Sequence, residues 1–268
     1  MKKSDEFISN DKLLECKKIH IASQLSQIQD KIKISYMLWL EKLNEINSNT
    51  RYSKKDIGFG ASGAGLCHLK HYFRTVKAPK KETGYDSMCK MRVGTLIHED
   101  IQNSLYYMFD DNYKVMCEIP VTYGKVKGHL DIAIEVDKEN VMLIDIKTMA
   151  AFSWSKKYGR DKNPNAAMWN KLQLATYSLG LKQDYGYKNV HMFLLNYNKN
   201  TSAMKFEPIN TGYYEKEAKQ YWKDVETIVK SLIKEPKKLK QVVNVPVHSW
   251  ECNYCDYSEH CPVKKEKK

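Results

Sequence analysis

Gly-His-Leu-Asp at 128–131, followed after a turn by Leu-Ile-Asp-Ile-Lys-Thr at 143–148, organises the reading of this chain. Both pieces have the apolar alternation of β-strands. If the strands are neighbours, Asp131 and Asp145 converge on one side of a sheet. Asp145 and Lys147 are two residues apart, so alternation puts both side chains on one face. Two carboxylates and a lysine on one spot suit a divalent cation and a phosphodiester.

Working outward, the segments 114–123, 126–136 and 141–147 read as three strands of an antiparallel meander. They are separated at Gly124 and by the polar run 137–140. A helix is expected before them at 93–109, with 76–90 a basic loop. After them come a helix at 168–182, strands at 188–196 and 203–208, and a long helix at 213–234. This order predicts an α/β fold with a central mixed sheet flanked by helices. In the N-terminal region, Leu25, Ile28, Ile32, Tyr36, Leu40 and Leu43 recur at helical spacing, which predicts a long amphipathic helix over 12–47. Gly58, Gly60 and Gly63 have the spacing of a dinucleotide-binding loop. No strand signal precedes them and no Lys-Ser/Thr follows, so they read instead as a flexible lead-in to a helix beginning near Cys67, with Ser62 as its cap.

A chain of 268 residues with 42% hydrophobic and 11% aromatic content can bury a full core. Its 44 Lys+Arg against 32 Asp+Glu leave a formal charge of +12, which favours a polyanionic partner such as nucleic acid. The opening Met-Lys-Lys-Ser-Asp-Glu-Phe is polar, and no apolar run approaches the roughly 20 residues of a membrane span, so a soluble, intracellular (cytoplasmic) protein is expected. In that compartment seven cysteines read as thiols or metal ligands rather than disulfides.

Hard cations such as Mg²⁺ and Mn²⁺ prefer oxygen donors. Asp131 and Asp145 supply two, the Ile146 carbonyl a third, and His98 adds a nitrogen that leans the site towards Mn²⁺. Lys147 is placed to orient an attacking water or to stabilise the pentavalent transition state. Gln173 and Tyr177 lie one turn apart on one helix face. Each of these residues alone is weak; their combination is specific.

Gly94-x-x-x-His98, Gly128-x-x-Asp131, Asp145-x-Lys147 and Gln173-x-x-x-Tyr177, in that order, resemble the motifs of RecB-type nucleases of the PD-(D/E)xK superfamily over roughly 94–177. The resemblance implies a restriction-endonuclease-like sheet flanked by helices and metal-dependent phosphodiester hydrolysis. It makes His98, Asp131 and Asp145 ligands and Lys147 the catalytic lysine, with Gln173 and Tyr177 arranging the site and contacting nucleic acid. Core packing is the alternative for Tyr177.

The tail carries Cys252-x-x-Cys255 and Cys261-Pro262, and three thiolates need a fourth ligand for a tetrahedral zinc or a cubane cluster. Cys67 is the natural candidate. One cysteine before the core and three after it resemble the iron–sulfur branch of these nucleases, which includes the CRISPR-associated Cas-four exonucleases and the AddB nuclease domain. A 4Fe–4S cluster at Cys67, Cys252, Cys255 and Cys261 is implied. Zn²⁺, with His260 or His248 replacing Cys67, is the competing reading. Cys16, Cys89 and Cys117 fit neither pattern and are expected as buried thiols.

After the catalytic strand, Phe152, Trp154, Lys156, Lys157, Tyr158, Arg160, Lys162 and Trp169 interleave bases and aromatics, as a single-strand contact loop does. An aromatic lid packed on the core is the alternative. A second basic run, Lys70, Arg74, Lys77, Lys80 and Lys81, is expected to line the opposite wall.

The expected organisation is an N-terminal helical extension at 1–57, a nuclease core at 58–247, and a cysteine-rich, cluster-binding tail at 248–268. The expected activity is a single-strand DNA exonuclease in recombination, repair, replication or CRISPR adaptation. The expected partners are DNA with free ends and a helicase, integrase or other recombination protein. The rivals are a structure-selective endonuclease and a non-catalytic DNA-binding or assembly module.

Overall fold

The computed structural model describes residues 30–31, 34–43, 45–46, 58–108, 113–160, 162, 167–241 and 251–262. The chain divides into two compact units, one of residues 1–54 with 83–92 and one of 55–82 with 93–268. In the first unit, residues 34–43 are helical and Leu40 is buried. Tyr36 meets Tyr85 edge-on at 6.4 Å. Residues 30–31 and 45–46 are helical as well, and the other residues of the helix expected over 12–47, including Leu25, Ile28 and Ile32, lie outside the described residues.

The second unit is built on a six-stranded mixed sheet. Its strands are β1 (Phe59–Gly60), β2 (Lys114–Tyr123), β3 (Val126–Glu135), β4 (Asn140–Met149), β5 (Asn189–Asn198) and β6 (Met204–Ile209). The meander β2–β3–β4 is antiparallel. β4 and β5 are parallel, β5 and β6 antiparallel. A parallel neighbour needs a crossover, which α3 (Ala151–Tyr158) and α4 (Met168–Tyr185) supply. The β3–β4 turn is held by the Asp137 carboxylate, which accepts the N–H groups of Glu139 and Asn140 at 2.8 Å each.

Helices cover both faces. Leu174, Ala175 and Tyr177 of α4 pack with Leu130, Leu143 and Leu194 of the sheet. Residues of α1 (His68–Thr75) and α5 (Thr211–Lys234) join the same core. On the opposite face Ile132, Ile134, Ile144 and Ile146 pack with Ile101 and Leu105 of α2 (Tyr85–Met108). The expected mixed sheet flanked by helices is the architecture found.

The pairing of β3 creates the feature that matters most. One edge of β3 bonds to β1 at Val126 and Lys127, and to β4 only from Ile132 to Glu135. Gly128 to Asp131 fall between these two ladders, and β4 from Asp145 onward continues beside β5 alone. The result is a notch between β3 and β4, with Asp131 on one lip and Asp145 on the other. Gly128 allows a helix residue to close the notch from below. A Cβ there would lie 2.7 Å from Tyr177 Cε1 and 2.9 Å from Ala61 Cβ, a separation that close-packed side chains do not allow.

Three local expectations are corrected. Residues 58–63 are not a flexible lead-in: Phe59 and Gly60 add a short strand, a 3₁₀ turn follows at Ala61–Gly63, and Phe59 and Ala61 are buried. Ser62 does not cap α1, whose N-cap is Cys67; the Cys67 N–H is instead taken by the distant Glu251 carboxylate at 2.8 Å. The basic loop expected to reach residue 90 ends earlier, because α2 begins at Tyr85 with Asp86 in its first turn, where a carboxylate favours the helix N-terminus. Among the described residues no helix is long and apolar enough to cross a membrane.

Candidate active site

The notch gathers side chains from both helical layers. Where β3 and β4 diverge, Asp131 Oδ2 accepts the free Ile146 N–H at 2.6 Å, replacing the missing ladder bond. Asp145 is 1% exposed, and its Oδ2 lies 2.8 Å from Lys147 Nζ. The same ammonium donates to Gln173 Oε1 at 3.1 Å, and Gln173 Nε2 donates to the Tyr177 hydroxyl at 2.8 Å. A continuous chain, Asp145–Lys147–Gln173–Tyr177, thus runs from β4 onto α4. Tyr177 is at once a member of the core and the end of this chain.

From the other layer, α2 delivers His98, whose Nδ1 lies 3.5 Å from Asp131 Oδ2. Gly94 keeps that helix close to β4, since a Cβ on it would meet Thr148 Oγ1 at 3.4 Å. One turn beyond His98, the buried Gln102 donates through Nε2 to the Asp131 carbonyl and to Glu118 Oε1, each at 3.0 Å. Neither Gln102 nor Glu118 was singled out from the sequence. Among the described residues, the donors that come within 4.8 Å of one another are those of His98, Glu118 and Asp131. Asp145, expected as a ligand with them, stands beside this trio, paired to Lys147.

The electrostatics are those of a site with unmet negative charge. Burial pushes the Asp131 and Asp145 carboxyls up to about 6, although Lys147 pulls both down and the Ile146 N–H also lowers Asp131. Burial acts against the Lys147 ammonium, but Asp145 and Asp131 outweigh it and hold it above the usual lysine range. Burial and then Lys147 hold His98 below the usual histidine range, so it is neutral near pH 7 and has a lone pair to offer. Apart from Lys147, no described group pairs with the buried Asp145 carboxylate. An imidazole with hard oxygen donors and an excess of buried carboxylate fits a divalent cation such as Mg²⁺ or Mn²⁺.

A second cluster lies at the tail. Cys67, Cys252, Cys255 and Cys261 line one pocket with Leu69, Lys70, Phe73, Glu251 and Ser258. Glu251, 1% exposed, holds the Cys67 N–H and lies 3.8 Å from Lys70 Nζ. Tyr257 stacks on Phe73 at 5.5 Å, and Lys81 N–H donates to the Asp256 carbonyl. Burial raises the Cys67 thiol to about 12 and raises Cys255 as well. Such thiols stay protonated unless a metal takes the proton's place, and four cysteines lining one pocket fit a metal group. His260 is exposed and outside the pocket lining, and His248 lies outside the described residues. Lys70 faces this pocket, which corrects its assignment to a wall of the active site. Cys89 and Cys117 are half-buried free thiols; Cys16 lies outside the described residues.

The basic-aromatic stretch after β4 is corrected in part. It is the helix α3 rather than a loop, and its inward side is already engaged. Lys157 pairs with Glu207 at 2.7 Å and donates to the buried Asn196 at 3.0 Å, while Lys171 holds the other Glu207 oxygen at 3.0 Å. Trp154 and Tyr158 lie 4.7 Å apart, with Lys205 over the Tyr158 ring. Phe152, Lys156 and Arg160 remain exposed. Lys157→Glu is therefore expected to cost roughly 3–5 kcal/mol of stability, as breaking a buried pair does, read as a lowered urea midpoint. Lys156→Glu should leave the midpoint unchanged.

A mixed sheet with helices on both faces, and carboxylates and a lysine at a notch between its central strands, constitutes a restriction-endonuclease-like architecture. The family model of the PD-(D/E)XK nuclease superfamily matches residues 108–262, and the chain belongs to that superfamily. Membership makes it a metal-dependent phosphodiester hydrolase in class. Among solved structures it is similar to SSO0001, at 16% identity and a TM-score of 0.51, covering 85% of this chain and 97% of that one. It also has 12% identity to an alkaline exonuclease from Laribacter hongkongensis, with a TM-score of 0.42 over 68% of this chain and 95% of the other. The comparison with curated proteins gave no significant match.

Proposed function

We propose that the chain is a DNA nuclease that hydrolyses single strands from free ends, with a 4Fe–4S cluster joining the two ends of its catalytic unit. The observation that carries the catalytic part is the notch itself. It sets His98 and Asp131 against each other and holds Lys147 between Asp145 and Gln173. A divalent cation held by His98, Asp131 and Asp145, with the Ile146 carbonyl as a further donor, supplies Lewis acidity toward the phosphate and the attacking water. Asp145 and Gln173 fix the Lys147 ammonium beside that position. A fixed cation needs no reorganisation as charge builds on the phosphoryl oxygens, and this is where such a group is most effective. Tyr177 holds Gln173 through its hydroxyl and thereby holds Lys147.

Single-strand preference is supported by Phe152 and Lys156 on α3 and Arg160 just past its C-terminus, which leave a ring and two cations exposed after the catalytic strand. Lys157, Trp154 and Tyr158 act there as the support of that surface, and the +12 net charge favours a polyanion. The cluster is supported by four cysteines on one pocket. A helicase, integrase or other recombination protein is the matching source of DNA ends.

The experiment is digestion of end-labelled linear and closed circular single strands with Mn²⁺ or Mg²⁺, using wild type and Asp145→Asn. Metal-dependent loss of the linear substrate only, absent in the variant, is the expected result. Cutting of circles would establish the structure-selective endonuclease instead. Binding of DNA without cleavage by metal-loaded protein would establish the assembly module.

A further inference from the structure

Glu118 stands in the middle of β2 with φ +52°, a left-handed conformation that a residue with a side chain seldom adopts. The ladder to β3 is in the same register on both sides of it, through Cys117↔Ile132 and Ile119↔Leu130, so no residue has been inserted there. The strand instead takes an unfavourable local conformation at the residue facing Asp131. Such outliers persist where the surroundings over-determine them, and they concentrate at functional sites. Here the surroundings are specific: Gln102 Nε2 holds Glu118 Oε1 and the Asp131 carbonyl at 3.0 Å each. A carboxylate oxygen of Glu118 thereby joins His98 and Asp131 within 4.8 Å.

We propose that Glu118 is a further ligand of the catalytic cation, supplying a carboxylate from β2, with Gln102 its positioning residue. The proposal rests on the reading of the notch as the metal site. The cation then has donors from three further elements around Asp131: His98 from α2, Glu118 from β2, and Asp145 with the Ile146 carbonyl from β4. A left-handed backbone brings this carboxylate to the trio, and Gln102 ties its position to that of Asp131 through one amide nitrogen. Unlike Asp145, Glu118 is exposed and carries no ion pair to a lysine in the notch, so its charge is available to a cation.

The test is Mn²⁺ binding to the purified protein by titration calorimetry and by the loss of the free-ion electron paramagnetic resonance signal, without DNA. Wild type, Glu118→Gln, Glu118→Gly and Asp131→Asn are compared. Glu118→Gln keeps the size of the side chain and its bond to Gln102; Glu118→Gly relieves the left-handed strain. Both are expected to weaken Mn²⁺ binding about tenfold or more, since changes even outside the ligands cost metal sites that much. The metal-free melting temperature should be kept in the glutamine variant and kept or raised in the glycine variant. Wild-type affinity in both variants, with Asp131→Asn abolishing binding, would overturn the assignment of Glu118 and leave the site standing. Failure of the wild type to bind Mn²⁺ would overturn the site reading with it.

Discussion

Lys147→Ala and Asp145→Asn are each expected to lower single-turnover cleavage of a labelled single strand by about 10²–10³-fold or more, while DNA binding stays near wild type. The magnitude is that of removing one preorganised charge from a developing oxyanion. The two changes should differ in stability. Asp145 is buried with its carboxyl raised to about 6, above the ordinary value of 3.8. In metal-free protein the folded state therefore holds this proton more tightly than the unfolded chain. The contribution of this carboxyl to stability is fullest below about pH 4 and is lost as pH rises through about 6. Asp145→Asn should flatten that decline in urea titrations with a chelator, whereas Lys147→Ala should steepen it by removing the paired cation. Loss of activity with equal loss of stability in both variants would make the pair structural and sink its catalytic role.

Cys252→Ser is expected to strip iron from the protein and lower its stability by several kcal/mol. Cys67 and the tail are far apart in sequence, and the Cys67–Glu251 bond alone spans 184 residues. A metal group bridging such a loop constrains the unfolded chain strongly, on the order of 5 kcal/mol in the cross-link estimate. The tail's remaining holds are the Glu251–Cys67 bond, the Tyr257–Phe73 stack and the Lys81–Asp256 bond. They should keep part of the tail docked, so the variant is expected to unfold earlier rather than not to fold. Iron content per chain, visible absorbance and urea midpoint, measured on anaerobically purified protein, decide it. Full iron and an unchanged midpoint in Cys252→Ser would dismiss the four-cysteine assignment. Stoichiometric zinc in the wild type would replace the cluster by a zinc site.

Both predictions follow from residues that sequence patterns could single out, whereas Glu118 could not be found that way. In β2 it is one acidic residue in an alternating strand, and its left-handed backbone is invisible to periodicity. Gln102 is one of many polar residues on α2. Their significance depends on the notch, which depends on β3 having two partners along one edge. The signal that was available is spacing: Gln102 lies one helical turn from His98 and shares its face.

The amino-acid sequence by itself determined the β2–β3–β4 meander, the α4–β5–β6–α5 order after it and the motif residues, because strand alternation and helical spacing are local and survive without tertiary context. It also placed Asp145 and Lys147 on one face, since two residues of a strand must share one. Tertiary structure alone decided what each charge does. Lys157 looked like a DNA contact until Glu207, fifty residues on, took it up. Lys70 looked the same until Glu251 proved to be buried beside it. Residue type and spacing set which groups a segment carries, but whether a charge is spent inside the fold or left for a ligand depends on partners that only packing brings near.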